Sequence, residues 1–158
     1  MIKVGDRIPD FLGVDQDGNE ITRESLAGKS VILYFYPQDN TSGCTAQACS
    51  LRDGIDDLQD AGYTVIGVSK DSAKSHQGFR AKYNLPFPLI ADTETTLNQA
   101  FGVWVEKSMY GRKYFGTQRT TFVIDKQGIV QAIVTGRKVN TKEHAQQLLE
   151  MIKELEKE

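Results

Sequence analysis

Two apolar runs in the first half of the chain, residues 31–36 and 63–69, set the framework of the predicted fold. Both are rich in β-branched and aromatic residues and lack polar alternation, which is typical of strands buried on both faces of a sheet. Between them, apolar residues recur every three or four positions, as on one face of a helix. These positions are Cys44, Ala48, Leu51, Ile55 and Leu58. A strand, a helix ending near residues 61–62 and a second strand predict a right-handed βαβ unit with parallel strands.

Shorter alternating segments predict two hairpins. An N-terminal hairpin is expected from a strand at 11–14 and a return strand beginning at Ile21, joined by a polar turn. A second hairpin is expected from strands at 120–124 and 129–134, joined by a turn that contains Gly128. Both hairpins are antiparallel, so the sheet of this protein is predicted to be mixed.

Three further helices follow from the apolar spacing and from capping residues. Their predicted ranges are 72–83, 95–101 and 141–157. Asp92 is expected to cap the second of them. Asn140 and Glu143 have the spacing of a capping box at the start of the third. Residues 85–91 contain two prolines and are predicted to form an extended edge segment.

Residues 103–116 are less regular, because aromatic side chains alternate there with Lys and Arg. They predict either a flap over a site or a solvated hairpin, and the hairpin is favoured. The whole pattern predicts the α/β class and a thioredoxin-like fold, with a central mixed sheet, helices on both faces and an N-terminal β-hairpin. A single domain spanning residues 1–158 is expected.

Composition and charge narrow the classes of partner. The net charge is −2, from 19 basic and 21 acidic residues, and no basic cluster stands out. We therefore expect neither nucleic acid nor an anionic membrane to be the main partner. No apolar run approaches the roughly 20 residues that span a bilayer. The N-terminus lacks the apolar core of a signal peptide, so a cytoplasmic location is expected.

Cys44 is the first candidate for chemistry. It is predicted to lie in the first turn of a helix that follows the carboxyl end of a buried strand, where open α/β sheets place their sites. A helix N-terminus offers free N–H groups and a partial positive charge, and both favour a thiolate. Cysteines in such places have pKa values of about 3.5–7.5. Cys44 is therefore a candidate nucleophile, although a small buried side chain with no chemistry is the alternative.

Cys49 lies five residues further along the same predicted helix. Five helical residues rise about 7.5 Å and turn about 140°, which separates the two Cα atoms by roughly 8.6 Å. A disulfide needs about 4.4–6.8 Å, so the two thiols cannot bond unless the first turns of the helix unwind. The hypothesis is that Cys44 is oxidised to a sulfenic acid that Cys49 then resolves.

Other interpretations of the two cysteines remain open at this point. Cys49 is alternatively an ordinary helix residue. A metal site is a weaker alternative, because neither His76 nor His144 has a ligand spacing to the cysteines. Both histidines are predicted to be solvated helix residues, and no His near Cys44 in sequence supports protease-like catalysis.

The motif Pro37-x-x-x-Thr41-x-x-Cys44 resembles the active-site pattern of the peroxiredoxins. With Cys49 five residues later, it is similar to the bacterioferritin-comigratory-protein, or PrxQ, branch. The similarity continues in order through most of the chain, in the segments 67–72, 85–89, 101–104 and 119–125.

This resemblance implies a thiol-dependent peroxidase that reduces hydrogen peroxide and organic hydroperoxides. By position, Cys44 would be the peroxidatic cysteine and Cys49 the resolving cysteine, joined in an intramolecular disulfide that thioredoxin or a similar dithiol reduces. Thr41 and Arg119 would hold the peroxide and the thiolate, and Pro37 would shield the thiolate from water. No cofactor or metal is implied, and a monomer is expected.

Two positions depart from the usual pattern of the branch. Ser42 stands where Pro is frequent, and it is expected to loosen the turn before Cys44. Gln47 stands where Glu is frequent, which leaves open whether a carboxylate-anchored network exists there. Two alternatives to a peroxidase are a general thiol–disulfide oxidoreductase, disfavoured by the missing C-x-x-C motif, and a redox-sensing interaction protein.

Overall fold

The apolar and polar periods of the sequence produce nine strands and five helices in the computed structural model, which describes residues 1–157. In chain order the elements are β1 (Phe11–Val14), β2 (Glu20–Thr22), β3 (Ser30–Phe35), α1 (Ser42–Asp53), α2 (Ile55–Asp60), β4 (Tyr63–Ser69), α3 (Ala73–Tyr83), β5 (Leu89–Ala91), α4 (Thr96–Ala100), β6 (Trp104–Met109), β7 (Arg112–Thr117), β8 (Thr120–Ile124), β9 (Val130–Thr135), a 3₁₀ turn (Gly136–Lys138) and α5 (His144–Glu156). None of the helices within this described part is long and apolar enough to cross a membrane.

The central sheet has five strands in the order β5-β4-β3-β8-β9. Strand β3 pairs in parallel with β4 and β4 with β5, whereas β8 and β9 are antiparallel to their neighbours. The sheet is therefore mixed, and the predicted parallel βαβ unit is confirmed. Strands β3 and β4 are buried on both faces, in agreement with their unbroken apolar runs.

Alternate side chains of the central strands build two cores. One face of β3 contributes Val31, Leu33 and Phe35 to a core that also contains the N-terminal hairpin β1–β2 and helix α4. The other face contributes Ile32 and Tyr34 to a core shared with α1, α3 and α5. The thioredoxin-like architecture with an N-terminal hairpin is confirmed, and the site described below lies on the second face.

The predicted helix between β3 and β4 is interrupted. It ends at Asp53, and a separate helix α2 follows Gly54. A Cβ atom on Gly54 would lie 2.4 Å from Cβ of Ala145 in α5, so close packing of α5 requires glycine at this point. The apolar spacing continues through the interruption, which is why the sequence predicted one helix.

The other elements differ from the predictions mainly at their ends. Helix α5 begins at His144, three residues after the predicted start, although Asn140 Oδ1 accepts the Glu143 N–H as a cap residue does. The Asp92 carboxylate accepts the N–H groups of Leu97 and Asn98 at the start of α4. Strands β6 and β7 form the hairpin that the sequence favoured for residues 103–116.

Candidate active site

Cys44 is the third residue of α1 and lies just beyond the carboxyl end of β3. It is a free thiol with 1% of its surface exposed. No acidic residue lies in the first turn of α1, so the partial positive charge of the helix N-terminus acts on the sulfur without a competing carboxylate on that turn. The local sequence alone creates this helix N-terminus.

Arg119 provides the second positive group. It lies in the short connection between β7 and β8, and its Nη2 donates a hydrogen bond of 3.3 Å to the Sγ of Cys44. A guanidinium stays charged at all relevant pH values, so this contact places a fixed positive charge against the sulfur. The pairing of β8 with β3 carries Arg119 to the same edge of the sheet as Cys44.

Gln47 completes a chain of contacts to the sulfur. It is buried in α1 one turn after Cys44, and its Oε1 accepts a hydrogen bond of 2.6 Å from Nη1 of Arg119. The two ends of the guanidinium therefore contact the sulfur and the amide oxygen. An amide rather than a carboxylate anchors the arginine, which answers the question left open by Gln47.

Thr41 and Pro37 lie in the loop that leads into α1. Thr41 is exposed and caps the helix with an extended backbone, and Thr45 N–H donates to its carbonyl oxygen. Its hydroxyl donates to the Gln38 carbonyl oxygen at 3.1 Å and accepts no hydrogen bond from a backbone N–H of the helix. Pro37 is half-buried directly after β3 and its neighbour Tyr36.

Cys49 lies in the same helix as Cys44 and is a half-buried free thiol. The residues that follow it are firmly held. Leu51 is fully buried, the Ser50 hydroxyl accepts the Ala145 N–H at 3.1 Å, and Arg52 donates to the Tyr83 carbonyl at 2.8 Å. The end of α1 beyond Cys49 is thus anchored to α5 and α3.

Two lysines add positive charge on one side of the site. Burial lowers the pKa of Lys107 on β6, the cations of Arg119 and Lys70 lower it further, and the charge of Cys44 opposes them. Lys107 therefore lies within electrostatic reach of both Arg119 and Cys44. Sequence reasoning did not find this residue, because only the fold of the β6–β7 hairpin places it there.

Tyr34 of β3 and Tyr36 directly after it are buried in the same core as Cys44. Burial raises the pKa of Tyr34 well above its usual range, and the charge of Cys44 raises it further. Burial likewise raises the pKa of Tyr36, as do the neighbouring Tyr34 and Asp39. Both phenols remain protonated, so they can act only as neutral groups at physiological pH.

His76 contradicts the prediction of a solvated histidine, because it is fully buried. Its Nε2 lies 2.9 Å from the Ile90 carbonyl oxygen and must carry a proton, and its Nδ1 lies 2.7 Å from Asp39 Oδ2. Asp39 also accepts the hydroxyl protons of Tyr36 and Ser75. This buried cluster fixes the loop between β3 and α1, where the candidate residues lie.

His144 is also fully buried, again contrary to the prediction. Its Nδ1 donates to Gln147 Oε1, whose orientation is fixed because that oxygen also accepts the Asn140 N–H. Its Nε2 therefore accepts from the Thr121 hydroxyl. Burial lowers the pKa of His144 to about 4. Helical spacing placed both histidines correctly on helices. It could not reveal the hydrogen-bond partners that allow both rings to be buried.

The described residues contain no group of three or more His, Cys, Asp or Glu side chains arranged to hold a metal ion. A cleft of about 670 Å³ lies between the N-terminal segment and the β8–β9 turn, and neither cysteine lines it. The thiol of Cys44 therefore lies outside this cleft.

Comparison with known proteins adds independent observations. Residues 4–133 match the model of the AhpC/TSA family. A putative peroxiredoxin bcp of Coxiella burnetii is 48% identical over 132 residues, covering 84% of this chain and 87% of the relative. Peroxiredoxin Bcp of Bacillus subtilis is 40% identical over 154 residues, covering 98% and 97%.

Solved structures agree with these relatives. A structure of Xanthomonas campestris peroxiredoxin Q has a TM-score of 0.82 at 36% identity and covers 89% of this chain and 88% of its own. A mutant structure of Xylella fastidiosa PrxQ has a TM-score of 0.88 at 30% identity and covers 98% and 97%.

Proposed function

The chain belongs to the AhpC/TSA family, in the Bcp or PrxQ branch of peroxiredoxins, and from this premise we propose that Cys44 is the cysteine that attacks the peroxide. The protein is a thiol-dependent peroxidase that acts on hydroperoxides and uses a thioredoxin-type reductant. The observation that carries the assignment to Cys44 is the hydrogen bond of 3.3 Å from Arg119 to its sulfur at the N-terminus of α1.

The first step oxidises Cys44. Its thiolate attacks one oxygen of the hydroperoxide, a sulfur–oxygen bond forms and the oxygen–oxygen bond breaks. The other oxygen leaves as an alcohol or water after taking up a proton, and the sulfur loses two electrons to become a sulfenic acid. Arg119 stabilises the negative charge on the sulfur and on the leaving oxygen. Thr41 orients the peroxide once its hydroxyl turns from Gln38, and Pro37 limits access of water.

The second step forms an intramolecular disulfide. The thiolate of Cys49 attacks the sulfur of Cys44, and the sulfenic oxygen leaves as water after protonation. Since both residues lie in the continuous helix α1, the turns around Cys44 must unwind first. A dithiol, for which thioredoxin is our candidate, then reduces the disulfide by exchange and itself becomes a disulfide.

Replacement of each cysteine tests the two assignments separately. Cys44→Ser should abolish peroxide consumption in the presence of a thioredoxin system, and retained turnover would refute the role of Cys44. Cys49→Ala should consume one equivalent of peroxide and leave a sulfenic acid that a dimedone probe traps. If recycling by thioredoxin is unchanged in Cys49→Ala, Cys49 is not the resolving cysteine.

The remaining proposals concern the whole protein. We infer that the chain forms a single domain. We also infer a monomer, because both reactive cysteines lie in one helix and need no second copy. Sedimentation equilibrium tests the monomer, and a single cooperative unfolding transition tests the single domain. Neither nucleic acid nor a membrane is proposed as a partner, and a cytoplasmic location is proposed. Fractionation of the source cells tests the location.

A further inference from the structure

One of two buried polar atoms at the site that lack a hydrogen-bond partner belongs to Gln47. Among the residues described here, only Tyr34 Oη and Gln47 Nε2 are buried side-chain oxygen or nitrogen atoms without a hydrogen-bond partner. Gln47 is fully buried, and the Nε2 group carries two donor hydrogens. A buried donor without an acceptor destabilises the folded state.

The orientation of the Gln47 amide is fixed by its partner. Arg119 can only donate hydrogen bonds, so the amide oxygen must face Nη1 at 2.6 Å and the amide nitrogen must face away. A glutamate at this position would present an acceptor to the guanidinium and no donor at all. On grounds of hydrogen bonding alone, the carboxylate is the better residue here.

No carboxylate among the described residues competes with Cys44 for the positive charge of Arg119. Within residues 1–157, Arg119 forms no salt bridge with an acidic side chain. Its two side-chain hydrogen bonds go to the neutral oxygen of Gln47 and to the sulfur of Cys44. The sulfur is therefore the group that can carry negative charge against this guanidinium.

We propose that Gln47 is a positioning residue that holds Arg119 against Cys44 without neutralising it. The amide oxygen supplies the geometry of an anchor, and the absence of charge leaves the full positive charge of the guanidinium to the sulfur. The inference rests on the proposed roles of Cys44 and Arg119 and adds to them the reason for an amide at residue 47.

A carboxylate at residue 47 would act on the sulfur in two ways. It would pair with Arg119 and partly neutralise the positive charge that acts on the sulfur. It would also place a negative charge one helical turn from the thiolate. Both effects disfavour the thiolate. Other charged or titratable groups act at this site from neighbouring elements, and a substitution at residue 47 removes none of them. They are Lys107 on β6, Lys70 after β4, Asp39 before α1, Tyr34 on β3, His144 on α5 and Cys49 on α1.

The test compares Gln47→Glu with the unsubstituted residue in a Cys49→Ser background, so that only one thiol reacts. The rate of alkylation by iodoacetamide is measured across pH, which reports thiolate formation without any peroxide. We expect the midpoint of this profile to move up by about one pH unit in Gln47→Glu, so that alkylation below the midpoint slows about tenfold. Above both midpoints the two rates should agree within about twofold.

Gln59→Glu is the matched control, because it adds the same charge at an exposed position on α2. Its profile should coincide with that of the unsubstituted protein. If Gln47→Glu moves the midpoint no further than Gln59→Glu does, the inference is wrong. A purely structural role for Gln47 would change the unfolding temperature and leave the midpoint in place.

Gln47→Met provides a second measurement that does not depend on the folding of Gln47→Glu. The methionine side chain has a similar length. Its thioether sulfur does not replace the amide oxygen as the acceptor of the Arg119 hydrogen bond. We expect the rate of oxidation by hydrogen peroxide to fall about tenfold at every pH, because Arg119 loses its anchor. An unchanged rate overturns the positioning role, whereas peroxide turnover by Cys44→Ser would instead overturn the proposed function.

Discussion

At the scale of single residues, the sulfur of Cys44 depends on a donor 75 positions away in the sequence. The helix N-terminus is created locally, but the guanidinium of Arg119 arrives only because β8 pairs with β3. The same residue also contacts Gln47, so it links the thiol to the next turn of α1. Arg119 is therefore the residue that brings a distant part of the fold into contact with the sulfur of Cys44.

Substitution of Arg119 tests this dependence. Arg119→Lys keeps the charge but loses the planar fork that reaches Cys44 and Gln47 at the same time. We expect the second-order rate constant for oxidation by hydrogen peroxide to fall about 100-fold, measured by stopped-flow fluorescence. Arg137→Lys, at an exposed position in the 3₁₀ turn, is the control. A loss of less than about threefold in Arg119→Lys would show that charge alone is sufficient.

At the scale of elements, α1 is secured unequally along its length. Beyond Cys49 it is held by a buried leucine and by hydrogen bonds to α5 and α3. Its N-terminus has no side-chain cap, and the Thr41 hydroxyl donates to the Gln38 carbonyl oxygen. Unwinding to join the cysteines should therefore begin at the N-terminus and stop near Ser50.

Ser42 provides a direct test of this picture, since it is the first residue of α1 and is exposed. Thr41 has ψ of 155°, the extended conformation that a following proline requires. Ser42→Pro should therefore fit the wound helix and stabilise it by about 0.5–1 kcal/mol. Disulfide formation should slow about two- to fivefold, and mass spectrometry should find more sulfinic acid at excess peroxide.

The matched control is Ala73→Pro, which places proline at the first position of α3. It should leave the rate of disulfide formation unchanged, and neither substitution should alter the initial oxidation of Cys44. If Ser42→Pro forms the disulfide as fast as the unsubstituted protein, the N-terminal turn of α1 does not limit this step.

At the scale of the whole molecule, buried polar clusters connect the site loop and α5 to the sheet. The Asp39–His76 pair fixes the loop before α1, and His144 joins α5 to Thr121 of β8. Both clusters lie where two elements from distant parts of the chain meet. They add directional contacts beside the apolar core that α1, α3 and α5 share.

His144 gives the stability of the protein a predictable pH dependence. Its folded pKa of about 4 lies below the ordinary value of 6.5, so the unfolded chain binds the proton more readily. This contribution to the free energy of unfolding is complete above pH 6.5 and is lost as the pH falls toward 4. The loss is on the order of 3 kcal/mol.

Urea unfolding across this range tests the prediction. The difference in unfolding free energy between the protein and His144→Gln should shrink as the pH falls from 7 toward 4, because glutamine does not titrate. Carboxylates that titrate in the same range contribute equally to both proteins and cancel in the difference. Parallel pH profiles would mean that His144 is not buried as a neutral group.

Much of the fold was predictable from the sequence because its strongest patterns are local. The unbroken apolar runs of β3 and β4 required strands buried on both faces, and a helix between them required parallel pairing. The hairpins followed from alternating strands and turn residues. The interruption at Gly54 was not predictable, because it depends on the approach of Ala145 from the other end of the chain.

The sequence by itself also determined that Cys44 begins a helix and that Cys49 lies too far along it to bond without unwinding, since helical geometry depends only on neighbouring residues. Only the tertiary structure decided which side chains surround the sulfur. It brought Arg119 and Lys107 to the site and buried His76 and His144 with polar partners. Hydrogen bonds and charge interactions act through space, between residues that the order of the chain does not connect.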